Sequence, residues 1–595
     1  MKSFLKYALI AAILMSSTSC EEFLKEDPKG RMMSDNTFRH RDDLYGSLHA
    51  LYKQVTRVFT GGIPFSWMAM GDDITTHPAM NKAVIREFDV MTVSDENAHF
   101  TIATGFWTWV WRVIKGSNFI INCPNEIPGA TAADIDFVRG QAHYWRAWSY
   151  FNLVRLWGPV PIMTELAAEM GSMKLSTIAE VYEFLVADLI EAERLLPTNH
   201  AGTPWAVNGI NVLVNKGAAQ ATLAQVYLTM GGWPLNYGAE YYAMAAREAL
   251  KVIDGAASGT YYYELYDCFS KVHSNAENHR NREVVLGVYY NATNDSQQND
   301  DQYVTRSTVI DIPQVAGGFN DYGAEIRFYL DFPEGTRKDW TYAPVITLPS
   351  PNVSAGTNGV THAWWSTTIP VSNRRPYNRK SAWVAFGTDL RDTREYDHYV
   401  SYNLQSGGWG IQTRQAIRLA EVYLWYAEAV GRANLTDQFP RAIGLLNEVR
   451  NRANGDAVAA RNIYPASLTG EQLAKAAWDE HGWEIALWWG GALAPRYTDQ
   501  LRMHGVPGYH CPMMHYNQRR ADYANQTTHL VPESERVLLH RDTGAVLWDG
   551  QAVRIGEGFG PTEPWRQEKL FLPYPKRDAD QIPALRDVDK FSMIK

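Results

Sequence analysis

Residues Arg139 to Trp157, RGQAHYWRAWSYFNLVRLW, decide the fold of this chain. Large apolar side chains fall on nearly every side of a helix built from this sequence. The pattern therefore predicts a buried helix rather than a surface helix with a single apolar face. Gly158 and Pro159 follow at once, as is common just past the end of a helix. A helix buried on all sides needs several other helices packed around it.

A second stretch, IRLAEVYLWYAEA at Ile417–Ala429, predicts a helix with one apolar face. Leu419, Val422 and Tyr426 recur at the spacing of helical turns. Pro440 is then suited to start the next helix. Two helices joined by a short turn are the unit of tetratricopeptide (TPR) repeats.

The sequence contains about four such pairs, so it predicts a mostly α fold of TPR-type helix pairs with long loops and a few short β-hairpins. The pairs are Asp42–Val55 with Phe106–Ile121, Asp134–Trp157 with Ile178–Leu196, Val212–Met230 with Tyr241–Asp254, and Ile417–Ala433 with Arg441–Ala453. Between them, Glu283–Tyr289 predicts a buried strand, and Ala545–Asp549 with Gln551–Ile555 predicts a hairpin around Asp549-Gly550.

The N-terminus carries an export signal that ends at a cysteine. Lys2 and Lys6 precede an apolar run at Tyr7–Met15, and small or hydroxylated residues then lead to Cys20. The run is too short for a membrane span, which takes about 20 apolar residues. We expect residues 1–19 to be removed and the Cys20 thiol to be lipidated, as in a bacterial lipoprotein, with simple secretion as the alternative.

Composition excludes several classes of function. A net charge of −9, from 56 basic and 65 acidic residues without basic clusters, argues against a nucleic-acid partner. The sequence lacks the motifs of zinc peptidases, serine hydrolases and P-loop proteins, so we expect a binding protein and no enzyme. The 21 Trp and 32 Tyr suggest surfaces that stack on flat or ring-shaped ligands.

The sequence resembles the SusD/RagB family, the outer-membrane nutrient-binding lipoproteins of Bacteroidetes. The similar stretches are Cys20–Pro28, the helix residues Trp107, Trp111, Ile114 and Asn118, Arg146–Gly158 with Pro161, Ile417–Ala429, Leu446–Ala453 and Leu572–Pro575. Glu480–Glu484 and Arg496–Leu501 keep only part of the family pattern.

The resemblance implies a surface-exposed lipoprotein of the outer membrane. Such a protein captures an oligosaccharide and passes it to a SusC-like TonB-dependent barrel. The resemblance also implies two halves, residues 20–255 and 256–595, packed as one globular unit. Arg418, Glu421 and Glu428 are expected to form structural ion pairs rather than a reactive site.

Two loop-rich stretches contain the candidate sugar-binding residues. They are Trp67, Asp72, Asp73 and Arg86 between the helices of the first pair, and Trp364 and Trp365 in the Gly-rich stretch 352–368. An indole covers the flat C–H face of a pyranose ring, while carboxylates accept and arginines donate hydrogen bonds to hydroxyl groups. A plain solvated loop is the alternative for the acidic pair.

Two other functions are compatible with the sequence. Peptide binding, as in the RagB branch, fits the same architecture. Surface glycoside hydrolysis would need two carboxylates across a sugar-sized gap, which a sequence does not reveal. No cofactor is expected, although the oxygen-rich stretch Asn291–Asp301 is an alternative place for a structural calcium ion.

Overall fold

The computed structural model describes 15 segments of the chain, and every structural statement below refers to them. These segments are residues 37–60, 70–77, 82–101, 105–165, 170–273, 279–290, 321–343, 345–348, 360–364, 374–380, 413–455, 463–487, 494–530, 552–555 and 560–595. The signal segment, Cys20, the candidate calcium stretch, Trp67 and Trp365 all lie outside the described residues.

Helices dominate the described residues, as predicted. They are α1 Arg41–Thr60, α2 Ala83–Asp89, α3 Ala98–Thr101, α4 Phe106–Ile121, α5 Ala132–Trp157, α6 Ile178–Leu195, α7 Lys216–Gly231, α8 Ala239–Ala257, α9 Phe269–Val272, α10 Ile326–Asp331, α11 Thr336–Thr341, α12 Leu419–Arg432, α13 Phe439–Asn454, α14 Gly470–Ile485, α15 Pro495–Arg502, α16 Pro512–Asn525 and α17 Lys576–Gln581. None of the described helices combines the length and the apolar character needed to cross a membrane.

Helix α5 is the central buried helix that the first stretch predicts. Every residue from Tyr144 to Trp157 is buried. Thr131 and Asp134 form a capping box at its start, and the helix ends at Gly158, whose φ of 77° suits a glycine. The C-terminal tail closes over this end, where the backbone N–H of Leu572 donates to the carbonyl of Leu156 at 2.7 Å.

The predicted helix pairs are confirmed, and consecutive pairs stack on one another. Helix α1 packs on α4, α5 on α6, and α7 on α8, while α4 packs on α5 and α6 on α7. Helix α8 then packs on α12, which joins the C-terminal helices to the same stack. One continuous apolar core runs from Phe38 to Leu585.

The fourth pair differs from the prediction in two respects. Ile417 and Arg418 belong to a strand, so α12 begins only at Leu419. Helix α12 also packs on α14 as well as on its predicted partner α13. Helical spacing of apolar residues does not by itself show where a strand ends and a helix begins. Ile417 fits the buried face of a strand as well as the apolar face of a helix.

The strands are short and form two-stranded antiparallel pairs. The pairs are β1 Thr75–Thr76 with β5 Gly323–Ala324, β2 Ala206–Val207 with β3 Ile210–Asn211, β4 Val284–Val288 with β10 Arg414–Arg418, β6 Tyr342–Ala343 with β9 Tyr377–Asn378, β7 Val345–Leu348 with β8 Val360–Ala363, and β11 Thr528–Leu530 with β12 Ala552–Arg554. The predicted strand at Glu283–Tyr289 is confirmed as β4. The second segment of the predicted hairpin forms β12, which pairs with β11, while the first segment lies outside the described residues.

A buried cluster of arginines and glutamates joins the C-terminal elements. We call Glu283, Arg337, Arg418, Arg452 and Glu484 the arginine–glutamate cluster. Nη1 of Arg418 lies 2.6 Å from Oε1 of Glu484 and 3.1 Å from Oε1 of Glu283. Nη1 of Arg337 lies 2.9 Å from Oε2 of Glu484, and Arg452 pairs with both glutamates. The predicted structural role of Arg418 is confirmed, because its guanidinium is fully enclosed by protein.

His481 on α14 occupies a second buried ion network. Its Nδ1 contacts a carboxylate oxygen of Asp499, and its Nε2 lies 3.3 Å from Oε1 of Glu421. Burial by itself lowers the pKa of His481, but the two carboxylates outweigh it and raise that pKa to about 9. Asp499 also accepts a hydrogen bond from Nε of Arg502 at 3.0 Å. His481 is therefore a buried imidazolium at neutral pH.

Replacement of His481 should change how stability depends on pH. The pKa of a histidine in the unfolded chain is about 6.5, so the folded value is raised. The stabilisation is complete below pH 6.5 and is lost as the pH rises through about 9. We therefore expect His481→Gln to lower the free energy of unfolding by on the order of 2 kcal/mol more at pH 6.5 than at pH 9.

Urea unfolding of both proteins at the two pH values measures this difference. His40→Gln is the matched control, because the His40 side chain is 62% exposed. A cost of His481→Gln that is equal at both pH values would contradict a charged His481.

Candidate functional site

Asp72 and Asp73, two of the predicted ligand contacts, are buried and engaged by the protein itself. Oδ1 of Asp72 accepts the backbone N–H groups of Ile74 and Thr75, both at 2.9 Å. Burial, with the neighbouring carboxylate, raises the pKa of Asp72 to about 8. Asp72 therefore closes a turn of the chain, and the solvated-loop alternative does not describe it.

Asp73 forms a two-point ion pair with Arg496 at the start of α15. Nε and Nη2 of Arg496 donate to its two carboxylate oxygens at 2.7 and 2.9 Å. Nδ1 of His510 lies 3.3 Å from the same carboxylate. Burial works against the charge, but Arg496 prevails and holds the pKa of Asp73 below its ordinary value. Both carboxylate oxygens of Asp73 accept hydrogen bonds from Arg496, so this geometry does not fit a role in binding sugar hydroxyls.

Trp364 is fully buried and does not present a face to a ligand. Its ring meets Tyr329 edge-on with centroids 5.6 Å apart, and Tyr329 meets Tyr342 in the same way at 5.0 Å. The predicted stacking role for Trp364 therefore does not fit its position. The indole instead anchors the chain at the end of β8, directly before its predicted partner Trp365.

The structure connects the base of the first predicted loop stretch to Trp364 of the second through β5 and through Tyr329 on α10, the helix that follows β5. Strand β1, which follows Asp73, pairs with β5, and Lys82 forms an ion pair with Asp321 just before β5. Burial and then the charge of Asp73 raise the pKa of Tyr342, which lies in the Trp364 ring cluster. We call this arrangement the loop framework, defined by Asp73, β1, β5, Tyr342 and Trp364.

Arg86 lies on α2, whose Asp89 accepts a hydrogen bond from Thr76 of β1 at 3.1 Å, and the Arg86 side chain is half-buried. Its proposed part in ligand binding stays a prediction, as do those of Trp67 and Trp365. Both tryptophans lie outside the described residues, Trp67 shortly before Met70 and Trp365 directly after Trp364.

The sequence does not predict the ion pairs that join the region around this framework to the C-terminal helices. Arg519 on α16 donates to both carboxylate oxygens of Asp89 at 3.0 and 2.8 Å. Arg327 on α10 makes a two-point pair with Asp522, both bonds at 2.6 Å. The partners of Arg519 and of Arg496 lie more than 400 residues away in the chain, so no local pattern points to them.

The described residues offer no arrangement that points to metal chemistry. No group of three or more His, Cys, Asp or Glu among them is placed to hold a metal ion. The adjacent acids that the sequence singles out, Asp72 and Asp73, are held by backbone N–H groups and by an arginine.

Two family models match this chain. One, described as starch-binding and associating with the outer membrane, covers residues 22–228, and the SusD family model covers residues 357–534. Together they span more than half of the sequence. The chain belongs to the SusD/RagB family.

Related SusD-like proteins align over different shares of their length. A SusD-like protein of Bacteroides ovatus is 24% identical over 99% of this chain and 98% of its own length. SusD-like protein P2 of Formosa agariphila is 27% identical over 41% of this chain and 45% of its own length. The chain therefore aligns with less than half of the second relative.

Solved structures share the SusD-like fold. A SusD homolog from Bacteroides thetaiotaomicron has a TM-score of 0.65 at 17% identity, covering 93% of this chain and 97% of the other. A protein whose crystal structure contains a xylogluco-oligosaccharide also has a TM-score of 0.65, at 18% identity and with 92% and 98% coverage. Identities this low show a common fold and leave the ligand of this chain open.

Proposed function

We propose that this SusD-like protein captures an oligosaccharide at the outer membrane without cleaving it. The observation that carries the proposal is the membership of the chain in a family whose matching model is described as starch-binding and associating with the outer membrane. The fold shared with a protein crystallised with a xylogluco-oligosaccharide supports it further.

The loop framework supports a binding site in the two predicted loop stretches. In the sequence, Trp67 comes shortly before Asp73 and Trp365 directly follows Trp364, so each of these positions is close to a buried residue of the framework. Binding sites gain affinity when the supporting residues are already ordered, because less conformational freedom is lost on binding. Trp67, Trp365 and Arg86 are the proposed ligand contacts.

Delivery to a partner completes the proposed function. The lipid on Cys20 would hold the protein at the outer membrane, and a SusC-like TonB-dependent barrel would accept the captured sugar. Capture needs differential affinity alone, so this role requires no reactive group. Co-purification of such a barrel with the native lipoprotein tests the partner, and recovery of the lipoprotein alone from mild detergent would contradict it.

Glycan binding should depend on the loop tryptophans. We expect Trp365→Ala and Trp67→Ala each to weaken binding of the best oligosaccharide by about tenfold, since each removes one stacking surface. Titration calorimetry with starch and xyloglucan oligosaccharides measures this change. Trp205→Ala is the matched control, because Trp205 stacks on Tyr45 of α1, outside the loop framework.

The same assay separates the competing interpretations. Binding of peptides alone would replace the glycan proposal with a RagB-like one. Shortening of a bound oligosaccharide, abolished by one Asp or Glu substitution, would overturn the absence of catalysis. Unchanged affinity in both tryptophan variants would move the site away from these loops.

A further inference from the structure

A cavity of about 800 Å³ lies between the segment that follows the first loop and the C-terminal tail. Its apolar wall is formed by the partly exposed side chains of Val93, Pro573, Val588 and Phe591. Buried side chains of Met70, Phe88, Met91, Phe571 and Leu572 lie behind this wall. A volume of this size is typical of sites that enclose small organic ligands. We call it the tail cavity, and no function described above uses it.

Two lysines line the tail cavity and are drawn in from the solvent. Nζ of Lys569 donates to the carbonyl oxygen of Met91 at 2.7 Å. Nζ of Lys590 donates to the carbonyl oxygen of Leu572 and lies 3.8 Å from the centre of the Tyr574 ring. Within the described part of the chain, neither ammonium group forms an ion pair with a carboxylate. An ammonium has three donors, so each keeps hydrogen-bonding capacity for a ligand.

The acids around the cavity form no ion pair with either lysine among the described residues. Glu563, Glu568 and Asp589 line its edge with exposed side chains, as does Arg566. Asp589 is already occupied, because it accepts the backbone N–H of Phe591 at 3.1 Å. Charges at an exposed edge are screened by water and salt far more than charges inside a cavity.

Burial disfavours the charged form of both lysines. Burial lowers the pKa of Lys590 to about 7. Burial also lowers the pKa of Lys569, although the nearby Glu563 and Glu568 act in the opposite direction. An anion placed beside these groups would restore the energy that their ammonium forms lose on leaving water.

We propose that the tail cavity binds a sugar ring that carries a carboxylate. The apolar wall covers the C–H face of the ring, while Lys569 and Lys590 donate to the carboxylate. This inference rests on the proposed glycan-capture function and adds a ligand class, the acidic sugars, at a second place on the molecule.

A neutral sugar would leave the two lysines without an ion-pair partner, and a simple carboxylate ion would leave the apolar wall uncovered. A ring bearing a carboxylate satisfies both features at once. Hydrogen bonds to a charged group in a partly enclosed site are about twice as strong as neutral ones, so the carboxylate should dominate selectivity.

Titration calorimetry of the purified protein tests this proposal with three probes: a short glucuronic-acid oligomer, the same oligomer with its carboxylates reduced to alcohols, and decanoate. We expect the acidic oligomer to bind at least about tenfold more tightly than the reduced one. Equal affinity for the two oligomers overturns the proposal. Lysine-dependent binding of decanoate without binding of the acidic oligomer also overturns it, because the cavity would then hold an acyl chain.

Lysine variants test whether the two ammonium groups cause the selectivity for the acidic oligomer. Lys569→Met and Lys590→Met keep the side-chain length and should each weaken binding of the acidic oligomer by about tenfold, leaving the reduced oligomer unchanged. Lys576→Met is the matched control on the same tail, where an exposed lysine pairs with Asp580. Unchanged affinity in both cavity variants overturns the assignment. If one variant does not fold, as judged by its thermal transition, the other decides.

The two proposals fail in distinguishable ways. Suppose that neutral glycans bind through Trp67 or Trp365 and that the lysine variants leave the affinity for the acidic oligomer unchanged. Glycan capture is then supported, and the acidic-sugar site in the tail cavity is overturned. If no glycan of either kind binds, the proposed function itself falls.

Discussion

Glu484→Gln should cost more stability than any surface change in this protein. Glu484 faces Arg337, Arg418 and Arg452 in the arginine–glutamate cluster. Burial opposes its charge, but the three guanidinium groups outweigh burial and hold the pKa of Glu484 well below its ordinary value. A neutral amide leaves these buried cations short of a counter-charge. We expect the free energy of unfolding to fall by about 3–5 kcal/mol.

Urea unfolding at neutral pH measures this loss. Glu191→Gln is the matched control, since Glu191 forms an exposed pair with Arg194 on α6 and should cost less than about 1 kcal/mol. Arg337→Met, which removes one cation and keeps the carboxylate, should destabilise less than Glu484→Gln. A cost of Glu484→Gln no larger than that of the surface control would contradict the role assigned to the cluster.

Trp364→Ala should destabilise the protein rather than simply weaken ligand binding. The indole is fully buried against Tyr329, so its removal leaves a cavity beneath the loop framework. Truncation of a buried Trp costs about 3–5 kcal/mol, and the same loss is expected here. Thermal and urea unfolding measure it.

The contrast with a conservative change makes this test specific. Trp364→Phe retains an aromatic contact with Tyr329 and should recover much of the lost stability. If Trp364→Ala unfolds like the parent protein while losing glycan affinity, Trp364 contacts the ligand and its buried position is not maintained in solution.

The helix pairs could be predicted because their signal is local. Helix α4 occupies the predicted bounds, and α5 and α6 each differ from them by a residue or two at one end. Apolar spacing, capping residues and Pro440 are all read within a few turns of chain. The capping box of Thr177 and Glu180 at α6 is confirmed for the same reason.

The candidate site could be predicted only in outline. The sequence places its residues in two loop stretches, and the structure connects the base of the first to Trp364 of the second through β5 and Tyr329. The sequence does not distinguish side chains that bind a ligand from side chains that hold the loops. Asp73 and Trp364 belong to the second kind, because Arg496 and Tyr329 lie against them.

By itself the sequence determined the stacked helices, the family and the structural character of Arg418, since these depend on periodic or motif-level patterns. The tertiary structure alone decided that Asp73 pairs with Arg496, that His481 is held as a cation, and that two lysines of the tail line a cavity. Burial and charge pairing depend on which distant segments meet, and that information is carried by the packing of the whole chain rather than by any short stretch of it.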